Sequence, residues 1–122
     1  MSILTDYQIS FGVQEIHGID YKYMKSNEFI LSNLIGEFMT MRKSDELVEA
    51  IRYAQDHPEE GSIRFTTDGL QFVEIFPLVT KIYADMDNYH DQNSIPDLAL
   101  PTNDFKEISL AWRNFLMNRI SL

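Results

Sequence analysis

The chain predicts a single α+β domain spanning residues 1–122: an antiparallel sheet of about four or five strands with helices packed on it. Three observations carry that prediction. Residues 7–13 alternate apolar and polar side chains with a period of two, as a half-buried strand requires. Two turn signals, His17-Gly18 and Asp68-Gly69, each separate strand-like runs. The C-terminal part opens at Pro101-Thr102-Asn103-Asp104 and carries apolar residues at helical spacing.

In chain order, Tyr7, Ile9, Phe11 and Val13 form the apolar face of the first strand. Ile19, Tyr21 and Tyr23 form that of its return partner. Ser26 is a candidate helix cap, with Glu28 in the first turn and Leu31, Leu34, Ile35, Phe38 and Met41 following at helical spacing. Gly36 and the Ser32-Asn33 pair weaken that helix, and residues 34–40 also fit a buried strand. Ser44-Asp45-Glu46 is a stronger helix start, with Leu47, Ile51 and Ala54 as one stripe and Pro58 ending the helix by His57. Residues 62–67 and 70–76 flank Asp68-Gly69. A two-residue turn there would set Phe65 opposite Phe72 and put Val73 and Ile75 on the other side, a strand covered on both faces or bulged. Residues 79–83 suit a further strand, although Pro77 could open a short helix. Residues 86–101 read as a long loop. The last helix places Phe105, Ile108, Trp112, Phe115 and Arg119 on one stripe, edged by Leu116 and Ile120, so Trp112 belongs to the core.

Composition narrows the function. The formal net charge is -9, and the ten basic residues are too few and too scattered to grip a phosphate backbone, so no direct nucleic-acid partner is expected. There are no cysteines, which excludes disulfides and thiol chemistry and fits the cytoplasm. The first residues lack a basic segment followed by an apolar run, so no secretory signal is expected. The most apolar stretch, residues 29–35, is too short to span a bilayer, so no membrane partner is expected either.

The charge is unevenly placed. No Lys or Arg lies between Lys81 and Lys106, while Asp85, Asp87, Asp91, Asp97 and Asp104 all do, with Tyr83, Tyr89 and His90 among them. Such a field attracts a cationic partner and speeds the encounter. Asp85, Asp87, Tyr89, His90, Asp91 and Asp97 are therefore candidate partner-binding residues, with Glu59 and Glu60 as a second acidic pair. Tyr89 is expected to stand free in a polar loop, as an interface anchor would.

Catalytic and cofactor motifs are not found. His57, Glu59, Glu60, His90 and Asp91 match no metal-ligand spacing, and Asp85-x-Asp87 lacks the glycine and terminal Glu of a calcium loop. His57 is better read as a helix-end residue meeting the last carbonyls, and His90 as a loop residue. There is no nucleophile elbow and no phosphate loop. No catalytic residue, metal or other cofactor is expected. Glu37 and Glu74, inside apolar runs, are the only carboxylates placed for acid/base work, and each also fits the outward position of an amphipathic element.

Residues 44–53, the run 61–65, Asp68-Gly69 with its following strand, and the ending from Leu98 to Phe115 resemble small bacterial immunity proteins. Those proteins accompany polymorphic or contact-dependent growth-inhibition toxins. The resemblance implies a non-enzymatic inhibitor that binds a cognate toxin domain, in many cases a basic nuclease, in the cytoplasm of the producing cell. Two alternatives from other classes stay open: a small enzyme with a carboxylate-lined pocket, and an adaptor or structural subunit whose acidic loop keeps it soluble.

Overall fold

The computed structural model describes residues 2–91 and 93–118 and shows an α+β domain with two antiparallel sheets. A one-turn helix α1 (Ile3–Asp6) leads into the hairpin β1 (Ser10–Ile16) and β2 (Ile19–Lys25). Next come α2 (Phe29–Gly36), α3 (Met41–Asp56) and a 3₁₀ turn at Pro58–Glu60. The second sheet is β3 (Ile63–Thr66), β4 (Phe72–Ile75), β5 (Val79–Tyr83) and β6 (Leu98–Pro101), in that spatial order. A 3₁₀ turn at Met86–Asn88 lies between β5 and β6, and α4 (Thr102–Met117) follows directly. Arg119 and Ile120, placed on the last helical stripe by the sequence, lie outside the described residues.

The first hairpin follows from its turn. His17 and Gly18 both take positive φ, 52° and 79°, the backbone of a tight two-residue hairpin whose twist matches its strands. The strand starts later than the alternation suggests. Residues 7–9 belong instead to the exit from α1, where Gln8 has φ 51° and Ile9 N–H donates to Leu4 O. Residues 29–36 are helical, so the strand alternative over 34–40 is not realised; the helix stops at Gly36, and Phe38 and Met41 lie beyond it. Ser26 does not cap it across the first turn but accepts from Glu28 N–H two residues on. Thr40, not Ser44, caps α3, accepting from Lys43 N–H at 3.1 Å, and Ser44 is buried inside the helix. Residues 98–101, read as loop from sequence, form the edge strand β6.

The inner face of the four-stranded sheet carries Ile63, Phe65, Val73, Ile75, Ile82, Leu98 and Leu100. These pack with Leu47, Ile51, Phe105, Ile108 and Trp112 of the two long helices. Burying a large apolar side chain contributes about 1.5–3 kcal/mol, so this layer dominates stability. Trp112 is fully buried, and its indole N–H donates to Phe38 O at 2.8 Å. Lys22 ties the small hairpin to the body by donating to Phe115 O and Leu116 O at the end of α4, where the helix dipole favours a cation.

Antiparallel topology sorts the connections. The β3–β4 and β5–β6 loops lie at one end of the sheet. The β4–β5 turn, with the 3₁₀ turn that precedes β3, lies at the other.

Candidate functional site

The outer face of the sheet carries Arg64, Phe72, Glu74, Lys81 and Tyr83. Glu74 is flanked by Arg64 on β3 and Lys81 on β5, a position that would be exposed on a bare sheet. It has no exposed surface, and Tyr89 from the loop after β5 folds back onto it. Arg64 Nε donates to Glu74 Oε2 at 2.8 Å, and the Tyr89 hydroxyl reaches the same oxygen at 3.3 Å. Glu74 Oε1 has no hydrogen-bond partner among the described residues.

Tyr89 is thus not the free aromatic that its sequence surroundings suggest. Its ring lies 4.4 Å from Phe72 and 5.2 Å, edge to face, from Tyr83. Phe72 comes from β4, so no local periodicity around Tyr89 could reveal it. Burial raises the Tyr89 hydroxyl above its ordinary pKa, and the Glu74 charge adds to the rise while Arg64 opposes it. Tyr83 is raised by burial first and then by Glu74. Its hydroxyl donates to Ser94 O at 3.1 Å.

The aspartates of this loop build its backbone. Asp85 accepts from Asp87 N–H at 2.9 Å, Asp91 from Asn93 N–H at 2.8 Å, and Asp97 from Ala84 N–H at 2.7 Å. Ser94 Oγ accepts from His90 N–H at 2.8 Å. Short polar side chains form such turns by taking the backbone donors that a strand or helix would otherwise satisfy. Asp85, Asp87, His90, Asp91 and Asp97 all remain exposed. The result is a set of carboxylates on a braced loop, with Tyr89 as its peg into the sheet and Tyr83 of β5 reaching from the sheet to Ser94 O.

One further carboxylate, Asp68, joins this end of the molecule. Asp68 and Gly69 sit in the β3–β4 loop, and Leu70 O accepts from Met86 N–H at 2.8 Å, joining the two loops. The β3–β4 connection is not a two-residue Asp-Gly turn. It runs over residues 67–71, Leu70 takes the positive φ of 64°, and the register sets Thr66 opposite Phe72 and Phe65 opposite Val73. Thr67 closes the loop: its N–H donates to Gln71 O at 2.9 Å and its Oγ1 accepts from Gln71 N–H at 3.1 Å, while Glu37 accepts from Gly69 N–H at 2.6 Å and a Cβ at Gly69 would lie 2.9 Å from that oxygen. Asp68 pairs with Lys43 at 3.6 Å. The signal for Asp68 was present in the sequence, since adjacent antiparallel hairpins place alternate loops at one end.

Glu59 and Glu60 are exposed but stand apart, in the 3₁₀ turn at the opposite end of the sheet. There the His57 ring stacks on Tyr53 at 3.9 Å and its Nδ1 lies 3.0 Å from Tyr53 O, which is the helix-end role read from sequence. Glu37 lines a separate cleft of about 380 Å³ between α3 and β3, with Phe38, Leu47 and Phe65 at its floor and Lys43 and Glu46 beside it. Among the described residues no cluster of His, Asp and Glu is arranged to hold a metal ion, and no helix is long and apolar enough to cross a membrane. No family model, curated protein or solved structure matches the chain.

Proposed function

We propose that this protein is a non-enzymatic acidic binding module, an immunity protein that neutralises a cognate basic toxin domain in the cytoplasm of the producing cell. The observation that carries the reading is the β5–β6 loop: exposed carboxylates, no Lys or Arg in its own sequence, and turns held by Asp85, Asp91 and Asp97 on backbone donors. A fixed acidic surface loses little conformational entropy on docking and steers a cationic partner toward itself. Inhibition is then occlusion: the carboxylates occupy the basic surface with which a nuclease holds its substrate. The test is co-expression with the C-terminal domain of the protein encoded immediately upstream, which this reading expects to be a basic toxin. Protection from toxicity together with an equimolar complex supports the proposal. Full toxicity with no complex formed rejects it.

The cleft beside Glu37 favours a second reading, a small enzyme with a carboxylate-lined pocket. An apolar floor with a few polar groups above it is the usual form of a small-ligand site. Turnover of any substrate that is lost in Glu37→Gln, with folding intact, would select this reading over the binding module.

A further inference from the structure

The small hairpin differs from the rest of the molecule in packing and in charge. Its base is anchored: Phe11 stacks on Phe115 at 5.1 Å, and Met24 is buried. Its outer half, residues 13–21, projects as an arm with Val13, Ile16, Ile19 and Tyr21 all substantially exposed. Beside it runs a cleft of about 720 Å³ lined by Val13, Tyr23, Met24 and Phe29, the last 73% exposed.

The arm also has an open edge. Among the described residues β1 pairs with β2 and with no other strand, so one side of its backbone lacks a ladder there. Proteins guard such edges with Lys, Pro, bulges or covering segments. β1 reads Ser-Phe-Gly-Val-Gln-Glu-Ile, with no Lys, no Pro and a single charge, and its pairing with β2 runs unbroken from Ser10 to Ile16. A two-stranded hairpin is marginal in water without further cover.

We infer that β1 pairs antiparallel with β1 of a second copy of this chain, joining two hairpins into one four-stranded sheet across a two-fold axis at Val13. Charge selects this occupant. Residues 10–25 hold Glu15 and Asp20 against Lys22 and Lys25, two of each sign and a net of zero, in a chain of net -9. Two such chains repel over most of their surfaces, and the arm is a place where they can meet without that penalty. A cationic partner, by contrast, is drawn to the other acidic surfaces. The register is self-complementary. Val13 meets its own counterpart, Gly12 meets Gln14, Phe11 meets Glu15 and Ser10 meets Ile16, so no carboxylate opposes a carboxylate. An interface made of one patch used twice closes the assembly as a dimer.

Sedimentation equilibrium of the full chain tests this. The expected mass is twice 14.3 kDa at micromolar concentration; a species of 14.3 kDa up to the solubility limit overturns the inference. Val13→Asp places like charges face to face on the axis and should weaken dimerisation at least about tenfold, with the circular dichroism spectrum unchanged. A dimer that survives Val13→Asp undiminished overturns the assigned edge. Because the chain has no cysteine, Val13→Cys gives an independent reading. It should form a disulfide-linked dimer on mild air oxidation far faster than Asn88→Cys at the acidic end, and equal rates overturn the register.

Discussion

Tyr89 donates its hydroxyl to Glu74, a carboxylate with no exposed surface and fifteen residues away in the chain. That bond, with Arg64 on the same oxygen, couples the acidic loop to the sheet beneath it. Glu74 is therefore less a surface charge than the fixed point on which the loop is hung.

Removing its cation should be costly. Breaking a buried pair costs about 3–5 kcal/mol, because the remaining charge is left without compensation. The Arg64 side chain is 45% exposed, and solvent screening reduces that figure. Arg64→Met should therefore destabilise the protein by about 2–3 kcal/mol. Urea melts read this directly, and a change below roughly 0.5 kcal/mol, the range of ordinary surface sites, would show that Glu74 does not depend on the guanidinium.

Tyr89 separates into two contributions. Tyr89→Phe keeps the ring on Phe72 and Tyr83 and removes one hydrogen bond, so the loss should be about 1 kcal/mol. Tyr89→Ala also removes the packing of a half-buried aromatic and should cost about 2 kcal/mol, below the 3–5 kcal/mol of a fully buried ring. If both substitutions leave the denaturant midpoint unchanged, the loop is not pegged by this side chain.

Tyr7 gives a pH dependence with a definite sign. Burial, and then the hydrogen bond to Asp104 at 2.8 Å, push its hydroxyl from about 10 up to about 12. The folded state holds this proton more tightly than the unfolded state. The contribution is therefore fully present below pH 10 and is lost as pH rises through the window from about 10 to 12. Urea midpoints should fall across that window, and Tyr7→Phe should make the fall shallower. An identical slope in Tyr7→Phe would assign the alkaline loss to other groups.

The core prediction rests on Trp112. Its ring is fully buried beside Phe11 and Phe115, and its N–H donates to Phe38 O. Trp112→Ala should cost about 3–5 kcal/mol through lost burial and a residual cavity. As the single tryptophan, Trp112 should also emit at short wavelength in the native state and shift red on unfolding. A native spectrum like that of free indole in water would place the ring at the surface.

Most of the scaffold is legible in the sequence because it depends on neighbours. The first hairpin follows from alternation and a His-Gly turn, α3 ends where Pro58 forbids continuation, and α4 declares itself by spacing. What escapes is set by contacts remote in sequence. Strand β6 is four residues of edge strand inside a polar stretch, recognisable only through its pairing with β5. The β3–β4 loop also holds Glu37, a side chain from beyond the end of α2, on Gly69 N–H. The environment of Tyr89 depends on Phe72 and Glu74, which alternate onto the outer face of β4. The acidic run is visible as charge, but its turn-building role requires knowing which backbone donors are left unpaired. Glu59 and Glu60 look like an extension of that run in composition, and only the strand order sets them at the other end.

The acidic loop yields the prediction on which the binding reading turns. Asn retains the side-chain oxygen that Asp85 and Asp91 present to Asp87 N–H and Asn93 N–H, so Asp85→Asn, Asp87→Asn and Asp91→Asn together should keep the loop fold while moving the net charge from -9 to -6. Exposed charges act on the encounter, and salt screens them. The triple variant should associate with its basic partner about tenfold more slowly at low ionic strength and show a flatter dependence on salt. Dissociation should change much less, because short-range contacts govern it. Stopped-flow kinetics on the complex separate the two rates. If the triple variant associates as fast as the wild type at low salt, the loop is a solubilising segment. The interface would then be sought around Glu59 and Glu60, where the exposed Leu78 and the neighbouring Pro58 supply apolar surface beside the carboxylates.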